Sequence, residues 1–163
     1  VCSSDLGGPV VSFKGFCPYQ AYLLEQTKSG ELLYANYSGC GNTINTSHPF
    51  MMALILDAMR HWVEIIGVDG FRFDLAVCLG REPHAYNNRS GLLRAINSDP
   101  VLRGKVLVAE PWDIGPDGYQ VGNFPVPWLE VNDKYRDTVR AFWRGDDGVT
   151  ADFATRLMGS RDI

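Results

Sequence analysis

Apolar and polar positions change period several times along the chain, and the changes mark out its elements. From Pro49 onward Leu54, Ala58, Trp62 and Ile65 recur three or four residues apart, which predicts a helix. Thr46 or Ser47 can cap it, Pro49 suits its first turn, and Gly67 stops it. The period then falls to two over Val68–Leu75, placing Arg72 and Asp74 on one face of a short strand and Phe71 and Phe73 on the other. A shorter helix is expected around Ser90 to Ser98. Lys105–Glu110 is a compact apolar run ending in an acid, the pattern of a strand buried on both faces. An aromatic loop rich in Gly and Pro occupies Pro111 to Val131. Asn132 or Asp133 can then cap a helix whose Tyr135, Val139 and Phe142 share a face and which Gly145 ends. A last helix is expected from about Val149 to Met158.

Residues 7–46 lack sustained periodicity and are rich in Gly, Tyr, Asn, Ser and Thr. They read as a long ordered loop, with a hairpin around Gly30 as the alternative. Loops of this length inside compact domains are more often functional than not.

Alternating helices and strands are the grammar of an α/β protein with parallel strands. Element order alone does not separate a doubly wound sheet from a (β/α)8 TIM barrel. Acids at the ends of two consecutive strands favour the barrel, whose chemistry gathers at strand C-termini. A whole barrel needs roughly 250 residues, so a chain of 163 residues is expected to form part of one. Val1–Leu6 reads as a non-native leader, and 7–163 as a fragment of a catalytic barrel that stops at Arg161–Ile163 without a closing element.

Composition narrows the classes. The net charge of −4 comes with no long basic run, so nucleic acid is not an expected partner. No apolar stretch approaches bilayer length and no signal-peptide pattern opens the chain, so neither a membrane partner nor secretion is expected. Cys2, Cys17, Cys40 and Cys78 are widely spaced, as are His48, His61 and His84, and neither set has the spacing of a metal site. The cysteines read as small buried hydrophobes of a reducing compartment. No metal and no cofactor is expected.

The chemistry lies in the strand-ending acids. Cleaving a glycosidic bond with retention takes one carboxylate to attack the anomeric carbon and a second, protonated carboxyl to donate to the departing oxygen. Adjacent parallel strands would set Asp74 and Glu110 side by side, and Arg72, one pleat earlier, would keep Asp74 ionised and oriented. Strand-ending acids also serve as helix caps or pair with basic neighbours, and Arg72 with Asp74 fits a structural ion pair equally well. Trp112, Tyr119, Phe124 and Trp128 crowd the loop after Glu110. They can stack on sugars or simply anchor the loop.

Two strings carry a resemblance. Gly70–Ala76 (GFRFDLA) is similar to the nucleophile motif of the α-amylase superfamily of glycoside hydrolases, and Ala109–Asp113 (AEPWD) to its acid/base motif. Tyr37–Thr43, the Ser47-His48-Pro49 helix start, Tyr119–Pro125 and Tyr135-Arg136-Asp137 resemble isoamylases and the related glycogen debranching enzymes. The resemblance implies that Asp74 is the nucleophile, Glu110 the acid and then base, and Arg72 the residue that positions Asp74. It also implies a covalent glycosyl-enzyme intermediate and hydrolysis of α-1,6 branches in glycogen, amylopectin or limit dextrin. The barrel portion implied covers about strands four and five with flanking helices and the long preceding loop. A bacterial cytoplasm or plastid stroma is the implied location.

The motifs that the superfamily carries at its third and seventh strands have no counterpart here, so its third, transition-state-stabilising aspartate is absent from the chain. Two rival readings follow. One is an α-1,4-acting amylase or transglycosylase of the same superfamily. The other is a non-catalytic glucan-binding or regulatory subunit of the isoamylase kind.

Overall fold

The computed structural model describes residues 13–160. The expected leader at 1–6, Cys2 and the chain end at Arg161–Ile163 lie outside the described residues.

The segment expected as a long loop contains regular structure. A short helix, α1 (Pro18–Ala21), is followed by strands β1 (Leu24–Gln26) and β2 (Leu32–Tyr34), which pair antiparallel with Gln26 opposite Leu32. The hairpin reading around Gly30 is therefore the one that holds for residues 24–34. Gly30 has φ +88°, and the turn closes through Thr27 N–H to Glu31 O at 2.8 Å and Gly30 N–H to Thr27 O at 2.9 Å. Three-residue strands with an exposed Leu32 and Leu33 leave too little alternation to stand out in the sequence.

Helix α2 (Pro49–His61) carries proline in its first turn as expected, but its cap is His48, whose Nδ1 accepts from Phe50 N–H at 3.2 Å. Thr46 is buried and donates to Leu79 O instead, at 3.1 Å. The helix widens into a π turn over Trp62–Ile66 before Gly67, at φ +82°, ends it. Its buried side also differs from expectation. Met51 and Met59 face the core with Met52, Ile55, Leu56 and Val63 beside them, whereas Leu54, Trp62 and Ile65 are exposed. The helix is apolar nearly all round, so periodicity offers two stripes and tertiary packing selects one.

Strands β3 (Gly70–Phe73), β4 (Val106–Ala109) and β5 (Leu129–Glu130) form one parallel sheet in that order. β5 is an addition to the two strands expected, a two-residue strand hidden in the aromatic loop. Phe71, Phe73, Leu107 and Ala109 point to the same side and join the main core with α2 and with α3 (Gly91–Ser98), whose cap is Ser90. The opposite side carries Arg72, Val106, Val108 and Leu129, and both Val106 and Leu129 are more than half exposed. β4 is therefore buried on one face rather than both, because among the described residues the helical cover lies on the core side. α4 (Asp133–Arg144), capped by Asn132 Oδ1 on Tyr135 N–H at 2.9 Å, packs on α5 (Thr150–Leu157) through Phe142 stacked on Phe153 at 4.0 Å. Gly145 stops α4 at φ +85°, as its position predicts.

Candidate active site

The site grows from the C-terminal ends of β3 and β4. Gly70 permits their close approach, since a Cβ there would lie 2.8 Å from the Cβ of Val106. The register runs Gly70 with Val106 through Phe73 with Ala109, so Asp74 and Glu110 come next on the two adjacent strands. Glu110 N–H donates to Phe73 O at 2.9 Å and Ala76 N–H to Glu110 O at 2.9 Å, which extends the ladder across the acids. By strand alternation both belong to the side that carries Arg72, opposite the core.

Directly after Asp74 the chain turns. Leu75 has φ +45°, a left-handed conformation that a non-glycine residue adopts only when its surroundings impose it. The turn aims Leu75 N–H at Glu110 Oε2, 3.2 Å away. Arg72 forms an ion pair through Nη2 with Glu110 Oε1. Arg72 was expected against Asp74; the described structure places its guanidinium on the other acid of the pair. The reason is geometric: Arg72 is opposite Val108, one pleat below Glu110 on the same sheet face, and an extended guanidinium reaches across to it.

Glu110 is held protonated to higher pH than an ordinary carboxyl. Burial is the largest cause, and a hydrogen bond with Asp74 adds to it, together outweighing the opposing pull of Leu75 N–H and Arg72. Asp74 itself is exposed. A carboxyl held protonated at the end of one strand is placed to donate its proton to a group bound beside it.

The four aromatic residues expected at the site fall into two pairs. Trp112 and Tyr119 form an antiparallel bridge, with their rings stacked 6.5 Å apart and 11° from parallel. Tyr119 is half-exposed and donates to Asp133 Oδ1 at 2.6 Å; burial and that carboxylate raise its pKa to about 12. Phe124 and Trp128 are core residues instead. Trp128 is 8% exposed, packs 4.7 Å from Phe73 and donates to Asn97 Oδ1 at 2.8 Å, and Phe124 packs on Tyr86 and Trp128. Their rings are spent on the interior, which corrects their expected role in sugar stacking. Among the described residues no group of three or more His, Cys, Asp or Glu side chains could hold a metal ion, and no helix is long and apolar enough to cross a membrane.

Sequence reading missed a buried pair beneath the site. Arg81 is 1% exposed and binds Asp113 through two hydrogen bonds of 2.7 Å each, Nε to Oδ2 and Nη2 to Oδ1. Asp113 sits inside the AEPWD string, yet nothing local announces a buried arginine 32 residues earlier.

The sequence is 48% identical over 159 residues to a glycogen debranching enzyme of Erwinia tasmaniensis, covering 98% of this chain and 23% of that protein. It is 46% identical over 156 residues to a glycogen operon protein GlgX homolog of Mycobacterium tuberculosis, covering 96% and 21%. The chain is similar to glycogen debranching enzymes along nearly its whole length. It spans less than a quarter of the length of these relatives. No protein-family model matches it. Among solved structures, the fold superposes on a pullulanase from Bacillus acidopullulyticus at TM-score 0.57 and 30% identity, covering 81% of this chain and 16% of that one. A pullulanase from Anoxybacillus complexed with maltotriose matches at TM-score 0.62 and 25% identity, covering 88% and 21%. These family matches agree with the α/β fold and its parallel sheet.

Proposed function

We propose that the protein acts in a glycoside hydrolase that cleaves α-1,6 branch linkages of glycogen or amylopectin by a retaining double displacement. The observation that carries this reading is the juxtaposition of Asp74 and Glu110 at the ends of adjacent parallel strands, with Glu110 biased toward its protonated form. In this reading Asp74 attacks the anomeric carbon while Glu110 protonates the departing oxygen. Glu110, now a carboxylate, then takes a proton from the water that hydrolyses the glycosyl ester on Asp74. Arg72, paired with Glu110, stabilises the carboxylate that forms when Glu110 gives up its proton. Trp112 and Tyr119 form the rim on which a glucose ring stacks.

The sheet β3–β4–β5, with helices over one face and Val106 and Leu129 open on the other, supports the finer assignment to part of a (β/α)8 barrel. The open face is then the barrel interior. The names of the relatives, glycogen debranching enzyme and pullulanase, favour branch cleavage over α-1,4 cleavage. Bacterial relatives favour a bacterial cytoplasmic setting.

The test is to incubate the full-length protein with amylopectin and size the released chains. Linear chains of branch length, released by the wild type and not by Asp74→Asn, are the expected result. Short maltooligosaccharides cut from a linear α-1,4 glucan would overturn the linkage assignment, and binding without any release would overturn catalysis.

A further inference from the structure

Resting on that reading of Asp74 and Glu110, we propose that Arg81 and Asp113 are positioning residues that set the acid/base carboxylate of Glu110 against Asp74. Arg81 lies seven residues after Asp74, and Asp113 three after Glu110, so their pair joins the two loops that begin at the two acids. The side chains are buried, at 1% and 0% exposure. A buried ion pair adds little stability over apolar residues of the same size. What a two-pronged arginine–carboxylate contact supplies is a fixed distance and a fixed angle between the segments it links.

The surroundings hold that geometry from every side. The Arg81 guanidinium lies 4.2 Å over the Tyr37 ring and also donates to Pro116 O at 2.9 Å and to His84 O. Asp113 Oδ1 accepts Gly115 N–H at 2.9 Å, and a Cβ on Gly115 would lie 2.5 Å from Tyr37 Cδ1 and 2.6 Å from Arg81 Nη2. Asp113 N–H donates to Gly118 O and Trp112 N–H to Glu110 O, both at 2.9 Å, so the pair is two short steps of backbone from the acid. On the other side, a buried turn over Ala76–Gly80 leads from Arg81 back to Leu75, whose left-handed N–H meets Glu110 Oε2. Releasing the pair frees both loops, relaxes the Leu75 turn and admits water to Glu110.

The experiment uses the full-length protein with Asp113→Asn and Arg81→Lys, the latter keeping the charge and losing the fork. Each is assayed on branched glucan and on a glucoside with an acidic leaving group, across pH, beside a thermal melt. The charged groups that reach Glu110 are Arg72 of β3, Asp74 directly after that strand and Arg136 of α4, and none is altered. On glucan, kcat should fall on the order of 100-fold with KM little changed. The activated substrate should lose much less in the first step, which burst kinetics read. The basic limb of the kcat profile should move to lower pH, because the burial that raises Glu110 is relieved. Equal first-step losses on both substrates, or an unmoved basic limb, would reduce the pair to a structural role and overturn the proposal. If the single variants fail to fold, the double variant Arg81→Met with Asp113→Leu removes both charges together. It should fold and show the same selective loss, and full activity from it would overturn the proposal. A wild-type protein that does not hydrolyse glucan would remove the underlying reading and this inference with it, an outcome visible before any variant is made.

Discussion

The backbone N–H of Leu75 donates to Glu110 Oε2 at 3.2 Å, across the ends of two adjacent parallel strands. The bond exists because Leu75 is bent to φ +45° straight after Asp74. A single strained residue thus links the segment carrying one acid to the side chain of the other. Strain of this kind persists where the surroundings over-determine it, and here they are the buried turn over Ala76–Gly80 and the Arg81–Asp113 pair.

The pH dependence of stability should carry the mark of Glu110. Its pKa in the folded chain is raised, chiefly by burial and then by Asp74. A raised carboxyl contributes stability that is complete below the ordinary carboxylate pKa and is lost as pH rises through the folded value. Glu110→Gln, neutral at every pH, should therefore raise the denaturation midpoint at neutral pH and bring little gain below about pH 4. Urea unfolding at the two pH values checks this, and an equal gain at both would contradict the raised pKa.

In the full-length protein the two acids should separate by substrate. Asp74→Asn should abolish turnover of every glycoside, because no covalent intermediate forms. Glu110→Gln should cost about 10²–10⁴-fold on branched glucan and far less in the first step with an acidic leaving group. Burst kinetics with an aryl glycoside measure that step directly. Identical losses for both variants on both substrates would count against the assigned roles.

The chain alone should release no reducing ends from amylopectin. Val106 and Leu129 stand open on the sheet face that carries Arg72, and the chain holds two of the three acids that its family resemblance implies. Unassisted turnover that disappears in Asp74→Ala would overturn this expectation.

Asp99 makes a separate prediction, away from the site. It is buried, accepts Arg60 Nε and Nη2 at 2.8 and 2.6 Å, and caps the next turn through Val101 and Leu102 N–H at 2.9 and 3.2 Å. Burial alone would raise its pKa, but the Arg60 bonds and the two backbone donors hold it below the usual value. A lowered carboxyl contributes stability above the unfolded pKa that is lost as pH falls through the folded one. Asp99→Ala should cost about 1.5–3 kcal/mol at neutral pH, the range for hydrogen bonds to a charged group. The cost should shrink in acid, as denaturant midpoints across pH will show.

Much of the sheet and helix layout was legible because it rests on local signals. The two-residue period of 68–75, Asn132 before its helix and the glycines at 67 and 145 each act within a few residues of themselves. The exposed face of α2 was misread because an all-apolar helix has no unique stripe, and β5 was missed because two residues carry no period. Phe124 and Trp128 illustrate the same limit: an aromatic loop residue looks alike whether it meets a sugar or the back of Phe73.

The sequence by itself therefore determined that two acids end two consecutive strands, with an arginine one pleat before the first. That information is carried by alternation along a single segment. Only the tertiary structure decided which acid the arginine holds, that Leu75 ties them, and that Arg81 and Asp113 brace the loops beneath. Those relationships join residues more than thirty positions apart, and a pairing across that distance leaves no local pattern in the sequence.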